Sequence, residues 1–289
     1  MRALVIINPI AGPRRNRDSV PRADLARRML GQDADIQITG HAGHAEELAR
    51  QAAAQRYDVV FAWGGDGTIN EVARALASTE TALALVPAGS GNGLARALGV
   101  PLRPAAAFAH AIDRPPRPID AGSLGGRFFV NVAGVGFDAE VAARFARRGR
   151  RRGPLPYVSI ALCAGLRYRP AEYTIHLADE RLTVRALIVA LANSPQYGNG
   201  AIVAPHASVD DGLLDLVIVG DRPLVARLAD VRHLFARTLH RAPGVIMRQV
   251  RHVTIEASLP LRFHADGDAF EGGTRLEGIV YPGALKIRA

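Results

Sequence analysis

The chain has 289 residues, 48% of them hydrophobic, which is enough for two ordinary domains with real cores and excludes a disordered tail protein. A single cysteine, Cys163, excludes an internal disulfide and a cysteine-rich zinc cluster and points to an intracellular protein. Basic residues outnumber acidic ones by 36 to 27, yet Lys286 is the one lysine. A Walker A loop is therefore excluded, and the net charge of +9 reads as arginine bias more than as a nucleic-acid footprint.

Taken in chain order, the apolar run from residue 3 to 7 is stopped by Asn8 and Pro9 with no small-residue cleavage site, so it reads as a first strand and not as a signal peptide. Helix over 19–30, strand over 34–39, helix over 44–55, strand over 58–63, helix over 68–77 and strand over 83–87 follow. That alternation predicts βαβ units and a parallel sheet, an α/β domain. Three prolines between Asp113 and Pro118 mark the passage into a second region. There, β-like runs at 127–133, 173–178, 183–191, 213–219, 253–257 and 275–281 predict a β-rich domain of antiparallel strands, with helices at 138–148, 155–168 and 224–239. The expected division is 1–122 and 123–289, the final residues returning to the first domain. The longest apolar runs, 159–165 and 186–192, fall well short of the ~20 residues that span a bilayer.

Three glycine-bearing turns follow predicted strands: Asn8-Pro9-Ile10-Ala11-Gly12, Gly64-Gly65-Asp66-Gly67-Thr68-Ile69-Asn70-Glu71, and Gly89-Ser90-Gly91-Asn92-Gly93. In an open α/β sheet, ligands bind beyond the carboxyl ends of the strands, so each turn is a candidate phosphate cradle. In the second, Thr68 and Glu71 have capping-box spacing and Ile69, Val72, Ala73 and Leu76 recur at helical intervals. The helix is thus expected to begin just after Gly67, its free N–H groups forming an anion site. Asp66 has the wrong charge for a simple phosphate pocket unless a cation intervenes or the carboxylate takes a proton from a hydroxyl; by itself the segment also reads as a plain tight turn.

These turns, with Asn131-Val-Ala-Gly-Val-Gly-Phe-Asp138, Asp211-Gly-Leu-Leu-Asp-Leu216 and Asp266-Gly-Asp268, occur in the order found in the diacylglycerol kinase catalytic-domain family, which includes bacterial lipid kinases, sphingosine kinases and ceramide kinases. The chain resembles that family over nearly its whole length. The resemblance implies an α/β nucleotide domain similar to those of NAD kinases and phosphofructokinases, followed by a β-rich, β-sandwich-like lipid domain. It implies that ATP is surrounded by Asn8, Pro9, Gly12, Thr39, Gly64, Gly65, Asp66, Gly67, Thr68, Asn70, Ser90 and Asn92. It further implies Mg2+ held by the Ser208 carbonyl, Asp211 and the Leu213 carbonyl, although Asp210-Asp211-Gly212 also reads as a metal-free hairpin turn.

Asp268 fits the position of the family's proton acceptor; Asp66 is the second candidate, as in sphingosine-kinase-like members. One departure is Gly93, where bacterial diacylglycerol kinases commonly carry a second carboxylate. Asp120 is the remaining candidate acidic partner or a linker residue. Arg144 to Arg152 includes six arginines suited to anionic lipid headgroups, or is a solvated arginine-rich surface; with Phe145 alone among them and no series of aromatic stacking platforms, it does not suggest nucleic acid. The nine histidines show no recognised ligand spacing, His206 reads as structural, and Trp63 as packing. The expectation is a cytoplasmic ATP-dependent lipid kinase acting at a membrane surface, peripheral to the inner face. A soluble-metabolite kinase of NAD-kinase type and a noncatalytic nucleotide- or lipid-binding module are the alternatives.

Overall fold

The computed structural model describes residues 1–12, 19–31, 34–147, 168–198 and 200–289. The chain divides into two units, Met1–Ile119 with Gly283–Ala289, and Asp120–Pro282. The helix expected over 155–168 lies, apart from Tyr168, outside the described residues, as does the arginine cluster from residue 148 onward.

In the first unit, β1 (Ala3–Ile7), β2 (Asp35–Ile38), β3 (Val59–Gly64) and β4 (Ala82–Pro87) form a parallel sheet in the order β4-β3-β1-β2. Every position of β1, β3 and β4 is buried, as in a parallel sheet covered on both faces, which is why their sequences are continuously apolar instead of alternating. Residues 283–289 complete the sheet beyond β4: Ile287 pairs in parallel with Leu83, the Arg288 amide donates to the Leu83 carbonyl at 2.9 Å, and Leu285 and Ile287 are fully buried. The helices are α1 (Ser19–Leu30), α2 (His44–Ala54), α3 (Asp66–Leu76), α4 (Gly93–Ala97) and α5 (Pro104–Ile112). α3 buries Ile69, Val72, Ala73 and Leu76, the stripe its sequence spacing predicts. Phe108 of α5 stacks on Phe61 at 5.0 Å between ring centroids and meets Trp63 edge-on at 5.5 Å, so Trp63 closes β3 by packing.

The second unit holds β5 (Arg117–Leu124) from Asp120 onward, β6 (Arg127–Phe129), β7 (Val132–Gly136), β8 (Ala171–His176), β9 (Arg181–Ala192), β10 (Gln196–Gly198), β11 (Ala201–Ile202), β12 (Leu214–Gly220), β13 (Val245–Val250), β14 (His252–Glu256), β15 (Arg262–Ala265), β16 (Asp268–Glu271) and β17 (Arg275–Ile287) as far as Pro282. Its strands run β16-β15-β7-β9-β8-β14-β17, and β12 pairs with both β9 and β13; these pairings are antiparallel. β9 pairs with β8 through its first half and lies between β7 and β12 through its second. Val189 and Leu191 enter one apolar cluster with Phe129, Leu216 and Phe263, whereas Ala190 and Ala192 enter another with Val203, Val217 and Leu239. With the period of two and both faces covered, the second half of the strand has no polar face to show, whereas Arg181, Thr183 and Arg185 of its first half are exposed.

Two helices complete the described part, α6 (Phe137–Arg147) and α7 (Leu224–Phe235). α7 stops short of the expected residue 239 because Arg237 adopts φ +60° and the Thr238 amide closes back on the His233 carbonyl at 3.0 Å, a Schellman-type ending followed by a 3-10 turn at Leu239–Arg241. The run expected at 127–133 is broken into β6 and β7. Among the described residues no helix is long and apolar enough to cross a membrane.

Candidate active site

The three glycine turns leave the carboxyl ends of β1, β3 and β4. Gly65 is extended and caps α3, so the helix begins at Asp66 and not after Gly67, and it lacks a side-chain cap. The expected capping box does not form. The Thr68 hydroxyl accepts instead from Asn8 Nδ2 at 2.8 Å, tying the first turn to the second. The Glu71 carboxylate reaches across to α2, accepting the Gly43 and Ala45 amides at 3.0 and 3.2 Å, and so satisfies orphan donors of a neighbouring helix.

Asp66 joins the second and third turns. Its Oδ2 accepts the Asn92 amide at 2.9 Å and its Oδ1 the Gly93 amide at 2.8 Å. Asn92, at φ +50°, in turn bonds both the amide and the carbonyl of Gly89 at 2.9 Å. The two turns approach so closely that a Cβ on Gly89 would lie 2.8 Å from the Gly65 Cα, and one on Gly91 would lie 2.9 Å from Asp66 Oδ2; only glycine fits. Position 93, which lacks the family's second carboxylate, supplies a main-chain donor to the first. A Cβ on Gly67 would meet nothing within 4 Å, and Ser90 is exposed, so these sides of the turns face open space.

In the first turn, Asn8 Oδ1 accepts the Ile10 amide at 3.1 Å and Gly12 takes φ +87°. Beneath it lies Arg22, a buried arginine that donates to the Asn8 carbonyl at 2.9 Å and the Ala11 carbonyl at 2.7 Å, with its guanidinium 5.7 Å from the Trp63 ring. Nothing in an arginine-rich sequence singles this arginine out. Pro9 is half-buried; Thr39, whose amide donates to the Ile7 carbonyl at 2.9 Å, and Asn70 are buried. His41, His44 and Glu47 bring potential ligand atoms within 4.8 Å of one another, a spacing the sequence reading passed over. His44 Nδ1, however, accepts the Gly40 amide, which in the neutral ring leaves the proton on Nε2 and no lone pair there for a metal.

In the second unit the Asp-Gly-Asp motif divides its labour. Asp266 and Gly267, at φ +47° and +90°, form the two-residue turn of the β15–β16 hairpin. The Asp266 carboxylate accepts the Val130, Asn131 and Val132 amides at 2.9, 2.9 and 3.1 Å, whereas Asp268 stands exposed at the start of β16. The 210–212 turn is not a hairpin, since β11 pairs with β10 and β12 with β9 and β13. It is anchored by Asp120, which is neither linker nor surface: buried in β5, it accepts the Gly212 amide at 2.7 Å.

Asp211 accepts the Leu213 amide at 3.0 Å and Gln249 Nε2 at 3.3 Å, and the Ser208 hydroxyl donates to Asp210 at 2.6 Å. Burial, and then the charge of Asp211, push the Asp215 carboxyl up to about 6, against the opposing pull of His206. Asp211 with the main-chain carbonyls of Ser208 and Leu213 is an all-oxygen set that suits a hard cation, and a carboxylate has lone pairs to spare beyond two hydrogen bonds. His206 packs edge-on against His240, at 4.8 Å between ring centroids. A further buried cluster joins residues distant in sequence: Asp138 Oδ2 accepts from Tyr197 Oη at 2.9 Å and lies 3.1 Å from His264 Nε2.

Residues 2–124 match the family described as diacylglycerol kinase catalytic domain, and residues 131–289 match the YegS C-terminal NAD kinase beta sandwich-like domain. Among curated proteins, the chain is similar to the "Probable lipid kinase YegS-like" of Pseudomonas aeruginosa, with 33% identity over 287 residues covering 96% of this chain and 91% of that one. The protein of the same name from Pseudomonas fluorescens is 33% identical, covering 99% and 94%. Among solved structures, a diacylglycerol kinase from Bacillus anthracis superposes with a TM-score of 0.77 at 20% identity, over 99% of this chain and 96% of that one. An NAD kinase from Archaeoglobus fulgidus in complex with ATP superposes with a TM-score of 0.56 at 14% identity, over 100% and 94%. Both of these likenesses concern the fold.

Proposed function

The chain belongs to the family of the diacylglycerol kinase catalytic domain, and from that premise we propose that it is an ATP-dependent lipid kinase that phosphorylates the hydroxyl of a lipid such as diacylglycerol or a sphingoid base. The observation that carries the reading is the joining of the Gly64-Gly65-Asp66-Gly67 and Gly89-Ser90-Gly91-Asn92 turns through Asp66 at the carboxyl ends of β3 and β4, the end of an α/β sheet at which ligands bind.

Mg·ATP, when bound, supplies the phosphoryl group and the cation that neutralises its charge. Asn8, Pro9, Gly12, Thr39, Gly64 to Asn70, Ser90 and Asn92 would surround the nucleotide. The N-terminal amides of α3 favour anionic groups there, and the small side chains of the turns permit close approach. Ser208, Asp211 and Leu213 would hold the cation of the second unit through oxygen. Both oxygens of Asp66 already accept main-chain amides, which favours an organising role for Asp66. Asp268, exposed at the mouth of its hairpin, is then the group that takes the acceptor's proton. The lipid acceptor places the enzyme's work at a membrane surface, from the cytoplasmic side.

The deciding experiment supplies purified protein with labelled Mg·ATP and a panel of lipid alcohols together with NAD, and identifies the products by mass. A phosphorylated lipid is expected. Label transferred to NAD alone, or nucleotide binding without any turnover, would overturn the reading.

A further inference from the structure

We propose that the exposed face of α7 and the turn after it form a docking surface that seats the protein on an anionic lipid bilayer. The inference deepens the lipid-kinase reading and rests on it for the acceptor being in the membrane.

Of the eleven large hydrophobic side chains exposed among the described residues, four lie on this twelve-residue helix: Leu224, Val225 (80% exposed), Val231 and Phe235 (59%). At about 100° per residue, Leu224, Val231 and Phe235 fall within roughly 40° of one another, and Val225 lies about 100° from Leu224 on the side that also carries Arg232. The opposite side holds Asp230, half-buried and paired with Arg222 at 2.7 Å; Arg227, nearby, pairs with Asp221. No carboxylate therefore shares the exposed face. Arg232, Arg237 and Arg241 are exposed and form no ion pair among the described residues, and Arg237 and Arg241 follow the helix directly.

An apolar stripe flanked by unpaired cations is the pattern of a helix lying in the plane of a membrane interface, its apolar side chains among the acyl chains and its cations at the phosphates. Scattered exposed leucines need no explanation, but clustering on one helix face does. A second copy of the chain is the poorer occupant, because two such faces would bring their arginines together with no carboxylates to meet them.

The test measures co-sedimentation of the intact protein with phosphatidylcholine vesicles, with and without phosphatidylglycerol. Val225→Glu/Phe235→Glu should weaken binding at least ~10-fold. Thermal unfolding and turnover of a monodisperse short-chain diacylglycerol should stay unchanged. Arg232→Gln/Arg237→Gln/Arg241→Gln, which leaves the apolar side chains in place, should weaken binding to phosphatidylglycerol vesicles on the order of 100-fold at low salt, with little change on pure phosphatidylcholine. Wild-type protein that ignores vesicles, or binding that survives both sets of substitutions, would overturn the proposal. So would a dimer that the glutamate pair dissociates while vesicle binding persists. Absence of lipid turnover with vesicle binding lost as described would count against the kinase reading and not against the docking face.

Discussion

Asp66→Asn separates the structural duty of this carboxylate from any part in the chemistry. The aspartate gives one oxygen to the Asn92 amide and the other to the Gly93 amide. Asparagine keeps one acceptor oxygen and turns an NH2 group toward the second amide, so one charge-assisted bond is lost and the other becomes neutral. Hydrogen bonds to charged groups contribute about 1.5–3 kcal/mol each, and Asp66 is only half-buried, which puts the expected loss at about 2–3 kcal/mol. For a chain of this size that corresponds to a fall in Tm of roughly 4–12 °C. The assay is thermal and urea unfolding of ligand-free protein, with turnover of the same samples measured well below both midpoints. Asn92→Ala, which removes the bonds to Gly89 from the same junction, should combine with it non-additively. Unchanged Tm and urea midpoint in Asp66→Asn would refute the reasoning, because a turn residue without clamping duty tolerates asparagine.

Asp268→Asn should keep nucleotide affinity and Tm while kcat falls by roughly 10²- to 10⁴-fold, and ATP titration without acceptor checks the first half of that statement. Asp266→Ala strips the acceptor from three amides and should cost about 3 kcal/mol or more, read as a lowered Tm. Gly89→Ala drives a methyl group into the Gly65 backbone and should cost about 1–3 kcal/mol and weaken ATP binding in calorimetry, since the second and third turns must separate. Asp215, with its folded pKa raised to about 6, holds its proton more tightly folded than unfolded, so its contribution is most favourable below pH ~4 and is lost as pH rises to ~6. Asp215→Asn in metal-free buffer should therefore raise stability by up to ~3 kcal/mol at pH 7.5 and leave it unchanged near pH 4, as followed by urea unfolding.

The α/β class and the antiparallel character of the second region were legible because both depend on local pattern. β1, β3 and β4 are unbroken apolar runs, and α3 carries its stripe at helical spacing. β15 and β16 escape because they have four residues each, and β13, Val-Ile-Met-Arg-Gln-Val at 245–250, because its apolar residues do not alternate with polar ones. Asp266-Gly-Asp268 by itself reads as a solvated turn, and its first two residues do form one, between β15 and β16. Thr68 and Glu71 satisfied a local capping rule that tertiary partners, Asn8 and the start of α2, overrode. The Asp66 junction, the anchoring of the 210–212 turn by Asp120 and the Asp138–Tyr197–His264 cluster join residues far apart in sequence. No local spacing encodes them.

The completion of the first unit's sheet by residues 283–289 has a consequence during synthesis. β4 is made early, and until Ile287 and Arg288 arrive its outer edge has no partner for the Leu83 carbonyl. At 5–20 residues per second, the interval between the two is roughly 10–40 s, ample time for the rest of the α/β unit to collapse. Through that interval the nascent chain displays a short, apolar parallel strand edge of the kind that pairs promiscuously with other chains. Crowded polysomes and heat-stressed cells are therefore where this protein should depend most on chaperones, with the hazard ending once the distal strand docks.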